Sequence, residues 1–162
     1  MNPNWKNFLL AEHAIFESDT GIVFPSSEQD GNQRICPVAH LGVLTIAGKD
    51  AAKFLQGQIT CNINDITDIK SSLGAMCNPK GRAITTFLLV KNADAFLMIL
   101  PVELLASVKK RLQMYVLRSD VTITDSSDEL CLIGLSYGVS QPEAAPDFAT
   151  SRQENIAVNL QN

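Results

Sequence analysis

The groups able to do chemistry are few and scattered. Four cysteines stand at 36, 61, 77 and 131, and two histidines at 13 and 40. A structural zinc site draws on paired Cys or His ligands. No Cys-x-x-Cys occurs here, and His40, four residues after Cys36, has no second pair to complete a tetrahedral set. The cysteines therefore read as reduced, partly buried thiols, and the histidines as ordinary surface or core residues. What remains is a group of polar residues near turns. Gln56 and Gln58 supply amides around Gly57, Lys80 and Arg82 supply cations around Gly81, and Thr85 and Thr86 supply adjacent hydroxyls. Arginine suits a carboxylate fork. Each set also has a plain structural reading: a helix stop, a solvated hairpin, and strand residues whose branched side chains suit a sheet.

The elements that must hold these residues follow from periodicity. Residues 41–47 are apolar and β-branched and end at Gly48, which predicts a strand. Ala51, Phe54, Leu55 and Ile59 recur at helical spacing, so a helix is expected near 49–57, stopped by Gly57 in a left-handed cap. Residues 62–70 alternate Ile with Asn and Asp and predict a turn-rich connection. Strands near 72–78 and 83–90 flank Asn78-Pro79-Lys80-Gly81, which has the turn chemistry of a hairpin. A further strand at 95–100 precedes Pro101, which opens a helix to about 115. Leu104, Leu105, Val108 and Leu112 form its core stripe, and Lys109, Lys110 and Arg111 are expected near its end, where cations suit the dipole. Strands at 121–124 and 130–135 follow. Hairpins mixed with a few helices imply an α+β fold, a largely antiparallel sheet with helices on one face.

Outside that core the texture changes. Trp5, Phe8, Leu9, Ala11, Ile15 and Phe16 predict a short amphipathic helix in an N-terminal arm over 1–33, with 25–33 a loop by composition. The α+β domain is expected over 34–126, and 127–162 as the start of a second, truncated module and tail. In that tail 141–147 reads as a loop, and 151–162 is polar without a strong period.

Composition excludes some classes. Apolar residues are 46% and charged residues 19% of 162 residues, ordinary values for a globular core. Net charge is −4, and the one basic block is Lys109-Lys110-Arg111, so nucleic acid is a poor primary partner. Apolar runs are too short to cross a bilayer, and the first ten residues lack a signal-peptide pattern. No membrane partner and a cytoplasmic location are expected.

Two segments carry a family resemblance. Gly48-Lys-Asp-Ala-Ala-Lys-Phe-Leu-Gln-Gly-Gln-Ile-Thr60 and Ala75-Met-Cys-Asn-Pro-Lys-Gly-Arg82 together resemble the N-terminal signature of YgfZ-like proteins. These are folate-binding cousins of the glycine-cleavage T-protein in the aminomethyltransferase superfamily. The resemblance covers about 40–138. It implies the N-terminal folate-binding fold with ferredoxin-like elements, in which several modules surround an opening for tetrahydrofolate. It also implies a part in iron–sulfur cluster maintenance, with iron–sulfur enzymes as partners, and through it in tRNA modification.

A reduced folate offers a flat pterin rich in donors and acceptors, a benzoyl ring and an anionic tail. Its site needs an apolar slot, a few amides or hydroxyls, and cations at the rim. On the resemblance, Gln56, Gln58, Thr85 and Thr86 are candidates for the polar contacts, and Lys80 and Arg82 for the tail. Two departures bear on activity. The T-protein carries an Asp pair on the strand after this hairpin, one member of which is its acid–base group. Aligned through Gly81, those positions are Thr85 and Thr86, whose hydroxyls do not exchange protons near neutral pH. The Lys-Gly-Cys-Tyr-x-Gly-type motif of YgfZ proteins has no counterpart in the sequence. The chain thus reads as a tetrahydrofolate-binding part that is catalytically incomplete. The rival readings are an aminomethyltransferase-like one-carbon enzyme and a folate-free interaction domain.

Overall fold

In the computed structural model, which describes residues 2–24, 33–137, 147–152 and 155–160, helix α1 (Pro3–Ala11) comes first. Asn2 caps it: its side-chain oxygen accepts from the N–H groups of Asn4 at 2.8 Å and Trp5 at 3.4 Å. The helix ends earlier than its apolar spacing suggests. His13 adopts a φ of +65°, and Ile15 and Phe16 form strand β1 (Ile15–Phe16), paired antiparallel with β2 (Ile22–Val23). Most of the loop expected at 25–33 lies outside the described residues.

The chain continues as β3 (Gln33–Pro37), β4 (Leu41–Ala47) and α2 (Ala51–Gln56), then a 3₁₀ turn at Ile63–Asp65. Next come β5 (Ser72–Cys77), β6 (Ala83–Asn92), β7 (Ala95–Pro101), α3 (Val102–Val116) and β8 (Thr122–Asp125). Last are β9 (Ile133–Tyr137), β10 (Thr150–Arg152) and β11 (Ile156–Val158). Five strands form one sheet in the order β5-β6-β7-β4-β8, with every neighbouring pair antiparallel. This is the α+β arrangement that periodicity implies.

Alternation along the strands decides the two faces. Leu44 and Ile46 of β4, Phe87 and Leu89 of β6, and Phe96, Met98 and Leu100 of β7 point to one face. There they meet Phe54 and Leu55 of α2 and Leu105, Val108 and Leu112 of α3. Leu44, Leu55, Leu89, Leu100 and Leu112 are wholly buried. Each such leucine contributes about 1.5–3 kcal/mol through the water it sheds. On the other face Val43, Val90 and Leu97 form a smaller cluster, against which Leu132 and Val158 pack.

Several expectations are corrected. Gly57 ends α2 at φ −82°, not in the left-handed region; the turn closes through N–H bonds from Gly57 to Phe54 and from Gln58 to Leu55. The helix expected to about 115 ends at Val116, but Lys109, Lys110 and Arg111 lie more than a turn before that end, and the last turn holds no cation. The strand expected at 130–135 begins at Ile133, and β10 and β11 occupy part of the tail that shows no period. The loop read at 141–147 lies, through 146, outside the described residues. β3 pairs with β9 from Gln33↔Tyr137 to Pro37↔Ile133, which joins chain on either side of 126.

Candidate functional site

The hairpin at 78–82 is organised by Asn78. Its side-chain oxygen accepts from the N–H groups of Lys80 at 2.9 Å and Arg82 at 3.0 Å. The Gly81 N–H donates to the Asn78 carbonyl at 2.9 Å, and Gly81 takes a φ of +76° that few other residues hold without strain. This scaffold holds Lys80 and Arg82 out at the tip. Both are exposed, and neither forms an ion pair among the described residues.

The remaining candidates separate. Thr85 points into the helix-covered core, only 4% exposed, and its hydroxyl donates to the Thr86 carbonyl at 2.9 Å. Thr86, the next residue on a strand, takes the opposite face and is exposed. The Gln56 side-chain oxygen accepts from the Ile63 N–H at 2.8 Å and so fixes the 3₁₀ turn after α2. Gln58 is half-buried. Two residues on, Thr60 ties this segment to β5: its N–H donates to the Ala75 carbonyl at 3.0 Å, and its hydroxyl accepts from the Ala75 N–H at 2.9 Å. No hydrogen bond among the described residues joins either glutamine to Lys80 or Arg82.

The sheet face opposite the helices brings other residues together. Register places Leu73 beside Leu88, Leu88 beside Ile99, and Ile99 beside Val43, one row across β5, β6, β7 and β4. The next pairs toward the hairpin end are Ala75↔Thr86 and Leu41↔Pro101. At the β4 end of this row lies a cleft of about 650 Å³. Leu41 and Val43 form its sheet side, Trp5, Lys6 and Phe16 its arm side, and Leu132 another wall. The Trp5 ring stacks on Phe8 with centroids 5.4 Å apart, and the Lys6 Nζ sits 5.3 Å from the Phe16 ring centre. Asn2 anchors α1 from behind by donating to the Asp128 carbonyl. The sequence reading missed these residues as a site. Their only prior signal was the amphipathic pattern around Trp5 and Phe16.

The cleft thus combines aromatic walls, the Lys6 cation, the Asp19 carboxylate, the hydroxyls of Ser18, Thr20 and Ser127, and an apolar sheet floor, the mixed lining of a small-molecule pocket. A second hollow, about 710 Å³ at Gly48, Asn92 and Ala95, lacks this: its cation Lys49 is 3.5 Å from Asp120. Cys36 and Cys131 are exposed and Cys61 and Cys77 half-buried, all free thiols. Burial pushes the Cys61 thiol up from its ordinary value. Among the described residues no cluster of His, Cys, Asp or Glu could hold a metal ion, and no helix is long and apolar enough to cross a membrane.

An antiparallel sheet with helices on one face defines the class, an α+β domain. The chain belongs to the GCVT N-terminal domain family, whose profile matches residues 31–140. The tRNA-modifying protein YgfZ of Colwellia psychrerythraea is 32% identical over 111 residues, 68% of this chain and 34% of that protein. The protein of the same name from Klebsiella pneumoniae is 33% identical over 105 residues, 65% of this chain and 32% of its own. The chain therefore spans about one third of these relatives. In fold it is similar to the aminomethyltransferase T of the Bartonella henselae glycine cleavage system. The TM-score is 0.70 at 10% identity, over 93% of this chain and 46% of the other.

Proposed function

We propose that this chain supplies one wall of a reduced-folate site in a YgfZ-like protein. The observation that carries the reading is the cleft at Trp5, Phe16 and Leu41, set at one end of a sheet row whose other end is β5. The flat pterin stacks among the aromatic side chains, and the benzoyl ring lies along Leu88 and Ile99. Three strand spacings, about 14 Å, separate β4 from β5. That span carries the anionic tail toward Lys80 and Arg82 at the hairpin tip. Thr86, on the same face, offers a hydroxyl on the way. Thr85 and Gln56 act on the scaffold, since their polar atoms already bond within the chain.

The role is binding without aminomethyl transfer. The positions that hold the paired carboxylates of T-proteins are Thr85 and Thr86, and a hydroxyl is no proton relay near neutral pH. The family relation and the name of the relatives support a part in tRNA modification. Upkeep of iron–sulfur enzymes in the cytoplasm is the process we assign to it.

The test is a calorimetric titration with tetrahydrofolate, read in parallel through Trp5, the single tryptophan. A partial site lacks contacts and preorganisation, so a dissociation constant on the order of tens of micromolar is expected. Quenching of Trp5 should track saturation. Arg82→Ala should weaken binding about tenfold by removing a charge-assisted partner, and more so for polyglutamylated folate at low salt. Saturable binding that leaves Trp5 emission unchanged would move the ligand elsewhere, and absence of binding would end the reading.

A further inference from the structure

The C-terminal half of α3 and the bend after it carry a surface that the folate reading does not use. Of 13 Lys and Arg in the chain, Lys109, Lys110, Arg111 and Arg118 fall within this short stretch. None forms an ion pair among the described residues, and the nearby Asp120 pairs with Lys49 instead. Among these cations Met114, Tyr115 and Leu117 are 59%, 44% and 86% exposed. Helical spacing sets Lys110 beside Met114 and Arg111 beside Tyr115. The Arg111 guanidinium carbon lies 6.0 Å from the Tyr115 ring centre. Leu105, Val108 and Leu112 are the buried stripe, so these residues are not part of the core.

Leu117 adds a second, independent observation. It closes α3 at φ +48° and ψ −108°, a backbone that glycine adopts readily and a leucine does not. Stability alone would select Gly at such a backbone. Instead a strained position holds a large apolar side chain almost wholly in water. Strain retained at an exposed residue points to use of its side chain.

We propose that this end of α3 is a docking surface for a protein partner that presents an acidic amphipathic helix. Leu117 is the central anchor, with Met114 and Tyr115 beside it, and Arg111 and Arg118 fork onto carboxylates of the partner. Charge complementarity sets the sign: the chain is −4 overall, and this short stretch gathers four of its 13 Lys and Arg. RNA fits less well, because Leu117 and Met114 offer nothing to a phosphate backbone and the one aromatic ring already carries Arg111.

The test measures fluorescence anisotropy of a labelled helix-forming peptide of Glu, Leu and Ala, its leucines on one face, against the intact chain. Saturable binding is expected, weakened about tenfold or more by Leu117→Gly and by Arg111→Glu with Arg118→Glu. A peptide of the same composition with its leucines scattered around the helix should bind about tenfold more weakly or worse. Leu117→Gly should also raise the thermal midpoint by about 2–4 °C as strain is relieved. Such a gain in stability with a loss of binding is what a merely structural leucine cannot produce. The proposal is overturned if the peptide fails to bind, if the scattered peptide binds equally, or if single-stranded RNA binds more tightly. A lower midpoint in Leu117→Gly overturns it as well.

Discussion

Gly48 joins β4 to α2 at a φ of +117°, and replacing it with alanine tests how that junction is built. Two costs add. Alanine is strained at this backbone angle, by about 1–3 kcal/mol. The new Cβ would also overlap the Asp120 carbonyl oxygen and lie 3.1 Å from Val121 Cα, both backbone atoms that cannot rotate aside. Moving Asp120 breaks a local clasp: the Asp50 N–H donates to the Asp120 carbonyl at 3.2 Å, and the Asp120 N–H donates to the Asp50 carboxylate at 2.8 Å. With about 0.5–1.5 kcal/mol for each bond, the total is about 2–6 kcal/mol. For a chain of this size that lowers the thermal midpoint by about 4–24 °C. Gly81→Ala is the control. It has φ +76° but nothing within 4 Å of the added Cβ, so only strain of about 1–2 kcal/mol applies. Urea and thermal unfolding of both variants give the comparison. If Gly48→Ala loses no more stability than Gly81→Ala, the close approach of the 120–121 backbone is not what requires glycine there.

Further outcomes concern Cys61 and Asn78. Cys61 should react with a disulfide reagent much more slowly than Cys36 and Cys131, because burial raises its thiol pKa and those two are exposed. A thiol whose pKa is raised on folding supports stability at low and neutral pH. That support should fade as pH climbs from the ordinary thiol value toward the raised one, and Cys61→Ser should flatten the alkaline part of a stability profile. Asn78→Ala removes both side-chain bonds that shape the hairpin and should cost about 1–2 kcal/mol in urea unfolding. On the folate reading proposed above it should also weaken tetrahydrofolate binding, as is expected of Arg82→Ala; a hairpin left intact by this change would refute the role of Asn78.

Much of the scaffold was determined locally. The β-branched runs at 41–47 and 83–90, the helical repeat of Leu105, Val108 and Leu112, and the Asn-Pro-Lys-Gly turn each specify their element within one segment. Residue identity likewise decided that hydroxyls stand at 85 and 86. Tertiary structure decided which of that pair is available. Period-two alternation puts adjacent residues on opposite faces, but only the packing of α2 and α3 makes one face the core, burying Thr85 and leaving Thr86 out. The same holds for Gln56, whose amide answers to Ile63, and for Gly57, whose turn closes without a left-handed residue. The cleft lay furthest beyond local reading. Trp5, Phe16, Leu41 and Leu132 are distant in sequence, and they meet because Asn2 clasps Asp128 and Leu132 packs against the sheet cluster that holds Val43. Local spacing carries no term for such long-range closure, so the pocket exists only once the chain has folded.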